Sequence, residues 1–344
     1  MKKLLIVLVA LAAVSIVWMM PALAYAKNDN PSVFIKIQTV FPSHVCNRQL
    51  AKFVKEVDLL SQGKIKMKIF PVGALVPPKE ILHALGKGAI EMAFIPEGYW
   101  YKLLPVSKFG QGLPFVFKNF HETEVFMYRR GFSEILKEAY RKLNIYHIPF
   151  ETYAAGLMTK KPIHTAADLK GLKIRAFGTF SDWLGKMGAS TVFVTGGELY
   201  TAIATGVVDG ANWGDAGPMY EMKFHEVMKN YMEPVTIIGG WNNLGVNLDF
   251  WKKLTPRQQN IIEAAALAGG LGWTVPETRV LSEISLVKMV KDWGVKVNML
   301  DEASIIKMRA ASMELMEKYA KEDPLSAKAA KLLKEFMVQL GRMD

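Results

Sequence analysis

The fold of this 344-residue chain is decided by residues 65–95, IKMKIFPVGALVPPKEILHALGKGAIEMAFI. Residues 65–69 alternate apolar side chains with lysines, which is typical of a strand with one buried face. The spacing predicts a helix over residues 78–86, and the apolar run 90–95 predicts the next strand. Strands joined by a helix favour parallel pairing, so this segment indicates an α/β lobe.

The same order of elements recurs outside that stretch. Residues 33–38 alternate as a strand, and apolar residues at three- and four-residue spacing predict a helix over 50–60. A second unit has predicted strands at 172–176, 191–194 and 207–211 and predicted helices at 180–187 and 198–205. A long helical stretch follows over residues 256–293, and we expect it to be broken or bent by Gly269, Gly270, Gly272 and Pro276. We therefore expect two α/β lobes followed by helices.

The first 26 residues predict a secretion signal. Lys2 and Lys3 precede an almost uncharged apolar run over residues 4–20, Pro21 breaks that run, and Ala24-Tyr25-Ala26 supplies small residues for cleavage. An uncleaved membrane anchor is the alternative, since the run is just long enough to span a bilayer. No later stretch reaches about 20 apolar residues. We therefore expect a soluble mature protein in the periplasm, beginning near Lys27.

Cysteine content and charge narrow the class of protein further. Cys46 is the single cysteine, so an exported chain would have no internal disulfide and its stability must come from packing. The formal charge of +11 becomes +9 without Lys2 and Lys3. The basic residues are dispersed, with no aromatic-basic repeat, so we do not expect nucleic acid as a partner. A general positive field would attract small anions instead.

No strong catalytic motif is present in the sequence. HExxH, CxxC, GxSxG and a phosphate loop ending in Gly-Lys-Ser/Thr are all missing. We therefore expect no catalytic residues, no metal site and no cofactor. An enzyme whose active site is assembled from distant residues stays open as an alternative.

Three further patterns point to one family. They are residues 61–75 with 88–94 (SQGKIKMKIFPVGAL and GAIEMAF), residues 162–175 (PIHTAADLKGLKIR) and residues 198–213 (ELYTAIATGVVDGANW). Together they resemble the DctP-type solute-binding proteins of tripartite ATP-independent periplasmic (TRAP) transporters. The resemblance covers essentially the whole chain after the signal.

The resemblance implies an α/β fold of the bilobal periplasmic-binding-protein type II kind. Two α/β lobes would be joined by crossing strands and a long spanning helix, with the ligand in the cleft between them. We expect residues 27–152 and about 241–280 in lobe I, and residues 153–240 and about 281–344 in lobe II. The implied partners are a small organic-acid ligand and the TRAP transporter membrane subunits.

Three residues are the first candidates for the ligand site. Arg175 matches the family arginine that pairs with the ligand carboxylate, and it ends a predicted strand, where cleft ligands of α/β sheets lie. A guanidinium offers a carboxylate two parallel hydrogen bonds. The alternative is a surface or interlobe salt bridge. Asn212 and Trp213 match family pocket positions after another strand, where Trp213 could cover an apolar ligand body and Asn212 could hydrogen-bond it.

Other positions refine the ligand class. Five residues fall at or next to cleft positions of relatives, although each could equally belong to the core: Tyr99, Trp100, Phe177, Trp241 and Asn242. Ala154 and Asn212 stand where keto-acid-binding relatives carry metal ligands, and neither supplies an anionic oxygen, so a bound cation is not expected. Ala155 stands where sialic-acid-binding relatives carry a second arginine. The expected ligand is a monocarboxylate with an apolar or aromatic body, such as a 2-oxo, 2-hydroxy or aryl acid.

Two other functions remain as alternatives. The protein could be a receptor for an ATP-driven importer or a sensor. It could also be a secreted enzyme on the same bilobal scaffold, because a fold does not fix a function.

Overall fold

The computed structural model describes residues 31–343, so the predicted signal peptide lies outside the described residues. The strands are β1 Val33–Thr39, β2 Ile65–Phe70, β3 Met92–Pro96, β4 Ile145–Ala155, β5 Leu157–Thr159, β6 Lys173–Arg175, β7 Ser190–Val192, β8 Gly210–Asn212, β9 Asn230–Glu233, β10 Ile237–Asn247 and β11 Lys296–Met299. The helices are α1 Ser43–Leu60, α2 Ile81–Gly86, α3 Ser107–Gln111, α4 Phe120–Glu124, α5 Phe132–Arg141, α6 Gly178–Lys186, α7 Gly196–Ala204, α8 Ala216–Glu221, α9 Phe224–Val227, α10 Leu248–Lys253, α11 Pro256–Gly269, α12 Val275–Trp293, α13 Glu302–Tyr319 and α14 Pro324–Gln339.

The first sheet has the strand order β2-β1-β3-β10-β4. β1 pairs in parallel with β2 and with β3, as the strand-helix-strand pattern predicted, while β10 runs antiparallel to β3 and β4. Ile35 and Ile37 alternate onto one face of β1 and pack in a core with Phe53 of α1 and Ile262 of α11. The period of two in β1 therefore buries one face of the sheet under two helices.

The second sheet has the order β11-β9-β5-β8-β6-β7. β6 lies between β7 and β8 and is parallel to both, so the carboxyl ends of these three strands meet at one edge. The strand predicted from residue 207 begins only at Gly210. Gly206 adopts a left-handed φ of +81° after α7, and the Asp209 N–H then donates to the Lys173 carbonyl, so the intervening residues form a turn.

The chain passes between the two sheets three times, the last time over the helices between β10 and β11. It leaves the first sheet at Gly156, between β4 and β5, and returns between β9 and β10. Both points lie a few residues from the lobe boundaries expected from the sequence. The predicted α/β fold with two sheets is confirmed, while the exact residue limits of the lobes stay a prediction.

The C-terminal helices contact both halves of the molecule. Trp183 Nε1 of α6 donates to the Met308 carbonyl of α13, at 3.0 Å. Ser312 Oγ of the same helix donates to the Pro114 carbonyl, in the segment after α3, at 2.6 Å. Helix α13 therefore ties the second sheet's helices to loops that lie beside the first.

The long helical stretch is interrupted as predicted. A π-helical turn, Gly270–Thr274, separates α11 from α12. A Cβ atom on Gly270 would collide with the carbonyl oxygen of Phe150 in β4, so glycine lets the helix backbone lie directly against the strand. Across residues 31–343, none of the helices combines the length and the apolar character that a membrane span requires.

Candidate functional site

Arg175 is the centre of the candidate site. It is the last residue of β6 and only 1% exposed. Its Nε donates to the Val194 carbonyl at 3.1 Å, and its Nη1 donates to the Asn212 carbonyl at 2.8 Å. Val194 follows β7 and Asn212 ends β8, the two strands that pair with β6. The backbone at the carboxyl ends of these neighbouring strands therefore holds the guanidinium in position.

Three aromatic rings surround the guanidinium. The Arg175 Cζ atom lies 4.7 Å from the ring centroid of Trp213, 5.2 Å from that of Phe177 and 5.7 Å from that of Phe193. Distances below about 6 Å allow cation–π attraction, which grows as water is excluded. The site is therefore a cation in an aromatic enclosure.

The charge of Arg175 lacks an anionic counterpart. Among residues 31–343, no aspartate or glutamate forms a salt bridge with it. Burial lowers the pKa of Arg175 to about 10, and nearby Tyr99 opposes this shift only in part. The side chain stays cationic at neutral pH. A buried cation without an anion is costly, so an incoming carboxylate would meet a favourable partner.

Tyr99 brings the other half of the molecule to the site. It ends a 3₁₀ turn, Glu97–Tyr99, that follows β3 of the first sheet. Its ring centroid lies 5.3 Å from that of Phe177, and burial raises the pKa of its hydroxyl. The two sheets therefore each contribute an aromatic wall.

Gln111 of α3 holds the Phe177 wall in place. Its Oε1 accepts from the Thr179 N–H at 2.9 Å, and its Nε2 donates to the Phe177 carbonyl at 3.2 Å. Gly178 stands between these contacts with φ +58°, and a Cβ atom there would collide with the Gln111 side chain. The start of α6 therefore packs closely against Gln111, a residue of the other half of the molecule.

Asn212 supports the site through its backbone. Its carbonyl oxygen accepts a hydrogen bond from Arg175 Nη1. Its Nδ2 donates to the carbonyl of Gly156 at 2.8 Å, at the point where the chain crosses between the sheets. Trp213 also packs edge-on against Phe224, at 6.4 Å between ring centroids. Both residues were predicted for the site from the sequence, and both contact or flank the guanidinium.

The other predicted residues lie apart from the guanidinium contacts. Trp100 and Trp241 are buried in the main apolar core, where Trp241 packs edge-on against Tyr128. Asn242 Nδ2 donates to Glu151 Oε1 at 2.7 Å. The structure thus brings Arg175, Phe177, Tyr99, Asn212 and Trp213 together, whereas a ligand contact by the remaining three stays a prediction.

Sequence reasoning missed Phe193 and a polar cluster around Glu151. Phe193 directly follows β7, but the sequence predicted a strand over residues 191–194 that contains it, so the strand-end signal that pointed to Arg175 was missing for Phe193. Glu151 of β4 is 3% exposed, and Gln49 Nε2 of α1 donates to its Oε1 at 2.7 Å. Burial raises the pKa of Glu151 to about 7. Beside this cluster, Arg48 forms an ion pair with Glu221 of α8, which links the two halves.

The two positions at which keto-acid-binding relatives carry metal ligands, Ala154 and Asn212, offer no anionic oxygen. Ala154 has no side-chain oxygen, and Asn212, whose Nδ2 donates to the Gly156 carbonyl, could offer only its neutral Oδ1. Within the described part of the chain, no group of three or more His, Cys, Asp or Glu residues could hold a metal ion. Hard cations such as Ca²⁺ favour several oxygen ligands, usually with carboxylates among them.

A family model for bacterial extracellular solute-binding proteins, family 7, also called DctP, matches residues 38–323. The chain belongs to this family. It is a TRAP transporter solute-binding protein, as the sequence patterns predicted. The relatives of this DctP protein include a monocarboxylate 2-oxoacid-binding periplasmic protein from a Nostoc species, 28% identical over 252 residues, which are 70% of this chain and 67% of the relative.

Solved structures give the same fold. A TRAP solute-binding protein from Bordetella bronchiseptica, with calcium and picolinate in one active site, is 24% identical and has a TM-score of 0.83, covering 91% of this DctP chain and 94% of its own. A second, from Colwellia psychrerythraea with bound calcium and pyruvate, is 24% identical with a TM-score of 0.82, covering 90% and 95%. At this identity the likeness establishes the fold and nothing finer.

Proposed function

We propose that this protein is the extracytoplasmic receptor of a TRAP transporter for a small monocarboxylate with an apolar or aromatic body, such as a 2-oxo, 2-hydroxy or aryl acid. It would act in the periplasm, after removal of its signal, and hand the solute to the membrane subunits. The observation that carries this proposal is the buried Arg175 cation, which lacks an anionic partner among the described residues. The binding of 2-oxoacids by the Nostoc relative supports the ligand class.

The geometry favours a ligand with one charged end. Two of the guanidinium nitrogens are committed to the Val194 and Asn212 carbonyls. The neighbouring walls are the rings of Phe177, Phe193 and Trp213, which gain free energy by covering apolar atoms and offer no second positive charge. A second carboxylate or a polyhydroxylated body would be left without partners there.

The proposed mechanism is closure of the two halves around the solute. Tyr99 lies in the turn after β3 of the first sheet and Arg175 ends β6 of the second, so a solute that touches both stabilises the closed form by its differential affinity. No bond is made or broken in this process. The chain's own residues bind, orient and desolvate the acid, and no cation is required by the contacts described.

Replacement of Arg175 tests the proposal. Arg175→Ala should lose affinity for its best acid at least a hundredfold, because a buried carboxylate without a counter-ion costs about 3–5 kcal/mol. Arg175→Lys should bind with intermediate affinity, since an ammonium keeps the charge but not the planar two-pronged geometry. Arg257→Ala, which removes an exposed arginine of α11, is the matched control. Titration calorimetry measures all four proteins, and circular dichroism checks their folding.

The ligand class is tested separately by a thermal-shift panel. Pyruvate, a branched 2-oxo acid and picolinate represent the proposed class, and glucuronate and succinate represent polar and doubly charged solutes. Each is measured with calcium and with a chelator. Stabilisation only by succinate or glucuronate would overturn the ligand class, and near-normal affinity of Arg175→Ala would overturn the site. Recovery of the bound acid unchanged after incubation would argue against an enzyme.

A further inference from the structure

Glu97 is a buried acidic residue to which the proposed function gives no role. It begins the 3₁₀ turn that ends at Tyr99, and it is fully buried. Its Oε1 accepts from the Tyr140 hydroxyl at 3.1 Å and from Asn243 Nδ2 at 2.6 Å, and His147 Nε2 lies 3.1 Å from the same oxygen. Three elements, α5, β4 and β10, therefore hold one carboxylate oxygen.

The second carboxylate oxygen of Glu97 is not matched in this way. Glu97 Oε2 is buried and has no hydrogen-bond partner among residues 31–343. A buried carboxylate that lacks part of its hydrogen bonding costs stability, and an apolar side chain of similar size often costs less. Packing alone therefore does not account for a glutamate at this position. What the three contacts to Oε1 do provide is a fixed direction for the side chain.

Two glycines allow the turn and helix α3 to pack closely. A Cβ atom on Gly110 of α3 would lie 2.7 Å from Glu97 Cγ, so the glutamate side chain occupies the space in front of Gly110. A Cβ atom on Gly98 of the turn would lie 2.6 Å from Gln111 Cδ, so the Gln111 side chain occupies the corresponding space in front of the turn. The turn and α3 therefore each place a side chain against a glycine of the other.

Both sides of this contact lead to the candidate site. The turn carries Tyr99, whose ring centroid lies 5.3 Å from that of Phe177. Gln111 hydrogen-bonds to the Phe177 carbonyl and to the Thr179 N–H. A displacement of Glu97 would therefore move both of these aromatic walls, one along the turn and the other through Gln111.

We infer that Glu97 is a positioning residue, which sets the placement of the Tyr99 and Phe177 walls against the body of the solute. This inference rests on the proposed function, because it assigns a role in that same site. Arg175 supplies the charge for the acid group, and Glu97 governs how closely the aromatic walls fit the remaining atoms. Loss of the Glu97 side chain should therefore weaken binding more for an aryl acid, which covers much of the walls, than for pyruvate, whose body is one methyl group.

Titration calorimetry with picolinate and with pyruvate tests this inference. Glu97→Ala should weaken picolinate binding about tenfold and pyruvate binding less than about threefold. Glu97→Gln should bind both acids within about threefold of the unaltered protein, because its amide oxygen still accepts hydrogen bonds and its side chain still fills the space before Gly110. Ile262→Ala, which shortens a buried side chain in the other core of the first sheet, is the matched control. It should lower the unfolding temperature and leave both affinities unchanged.

Gly110→Ala is a second test that leaves the carboxylate in place, and it decides alone if Glu97→Ala does not fold. Its Cβ atom displaces the Glu97 side chain, so it should weaken picolinate binding about tenfold; in the Glu97→Ala background, where Cγ is missing, it should add little.

Two sets of outcomes separate this inference from the proposed function. Equal losses for the two acids, normal picolinate affinity of Gly110→Ala, or binding of pyruvate but not picolinate by the unaltered protein would overturn the role of Glu97 and leave the proposed function standing. Binding of neither acid by the unaltered protein would overturn the proposed function, and the role of Glu97 with it.

Discussion

Replacement of Glu151 by glutamine should change the stability of the protein in a pH-dependent way. Glu151 is 3% exposed, and its Oε1 accepts from Gln49 Nε2 and Asn242 Nδ2. Glutamine keeps the shape and that acceptor. Two candidate acceptors for its new amide N–H belong to the same side chains, because Gln49 Oε1 and Asn242 Oδ1 are buried without hydrogen-bond partners. The substitution thus removes the titration of the carboxyl and little else.

The magnitude follows from the pKa of Glu151, which burial raises from 4.5 to about 7. A carboxyl whose pKa is higher in the folded protein holds its proton more tightly there than in the unfolded chain. Its contribution to stability is therefore fully present below pH 4.5 and is lost as the pH rises through about 7. The difference between the two pKa values corresponds to ~3 kcal/mol. Glu151→Gln should equal the unaltered protein near pH 4.5 and exceed it by up to that amount at pH 8–9.

Urea unfolding of both proteins from pH 4.5 to 9 measures this difference. Comparing the two proteins cancels the titration of other groups, such as Asp215, whose pKa is raised by burial to about 6. Glu80→Gln, at an exposed position, controls for the loss of one negative charge. A stability difference that stays constant with pH, or that grows towards low pH, would refute the assignment of Glu151 as a carboxyl whose pKa is raised by burial.

Two glycine substitutions test the close contacts described above. Gly178→Ala should weaken binding of the best acid about tenfold by calorimetry, because its Cβ displaces the Gln111 side chain that holds the start of α6; unchanged affinity would mean that this contact does not position the site. Gly270→Ala should lower the free energy of unfolding by about 1–3 kcal/mol in urea, because it pushes the helix off the Phe150 carbonyl. Gly272→Ala, where a Cβ atom would make only an ordinary contact with the Leu267 carbonyl oxygen, should cost less than Gly270→Ala, and equal losses would contradict the steric argument.

Much of the architecture follows from local periodicity. The alternation in residues 65–69 predicts β2, and Gly269, Gly270 and Gly272 predict the interruption at the π-helical turn. Both features could be predicted because they depend only on residues that are close in sequence. Arg175 and Trp213 could be predicted from the sequence for a related reason. Each stands at or just after a strand end, and parallel strands bring their carboxyl ends to one edge.

The rest depends on contacts between distant segments. Glu151 joins α1, β4 and β10, and no single segment contains that relation. Trp241 and Asn242 were both expected at or next to the cleft by their likeness to relatives, but adjacent residues of a strand face opposite sides of the sheet: Trp241 packs in the main apolar core and Asn242 donates to Glu151, and which of the two contacts a ligand stays a prediction. The Gln111 contacts with Phe177 and Thr179 likewise join residues more than sixty positions apart.

The anchoring of Arg175 by two backbone carbonyls has an entropic consequence. If the arginine side chain were free to change rotamer in solvent, its immobilisation by a solute would cost about 2 kcal/mol in side-chain conformational entropy. Here the Val194 and Asn212 carbonyls have already removed that freedom during folding. The free energy of each new contact with a solute is then not reduced by the cost of ordering Arg175. A receptor built in this way can hold a molecule of only a few heavy atoms, which has few contacts to give.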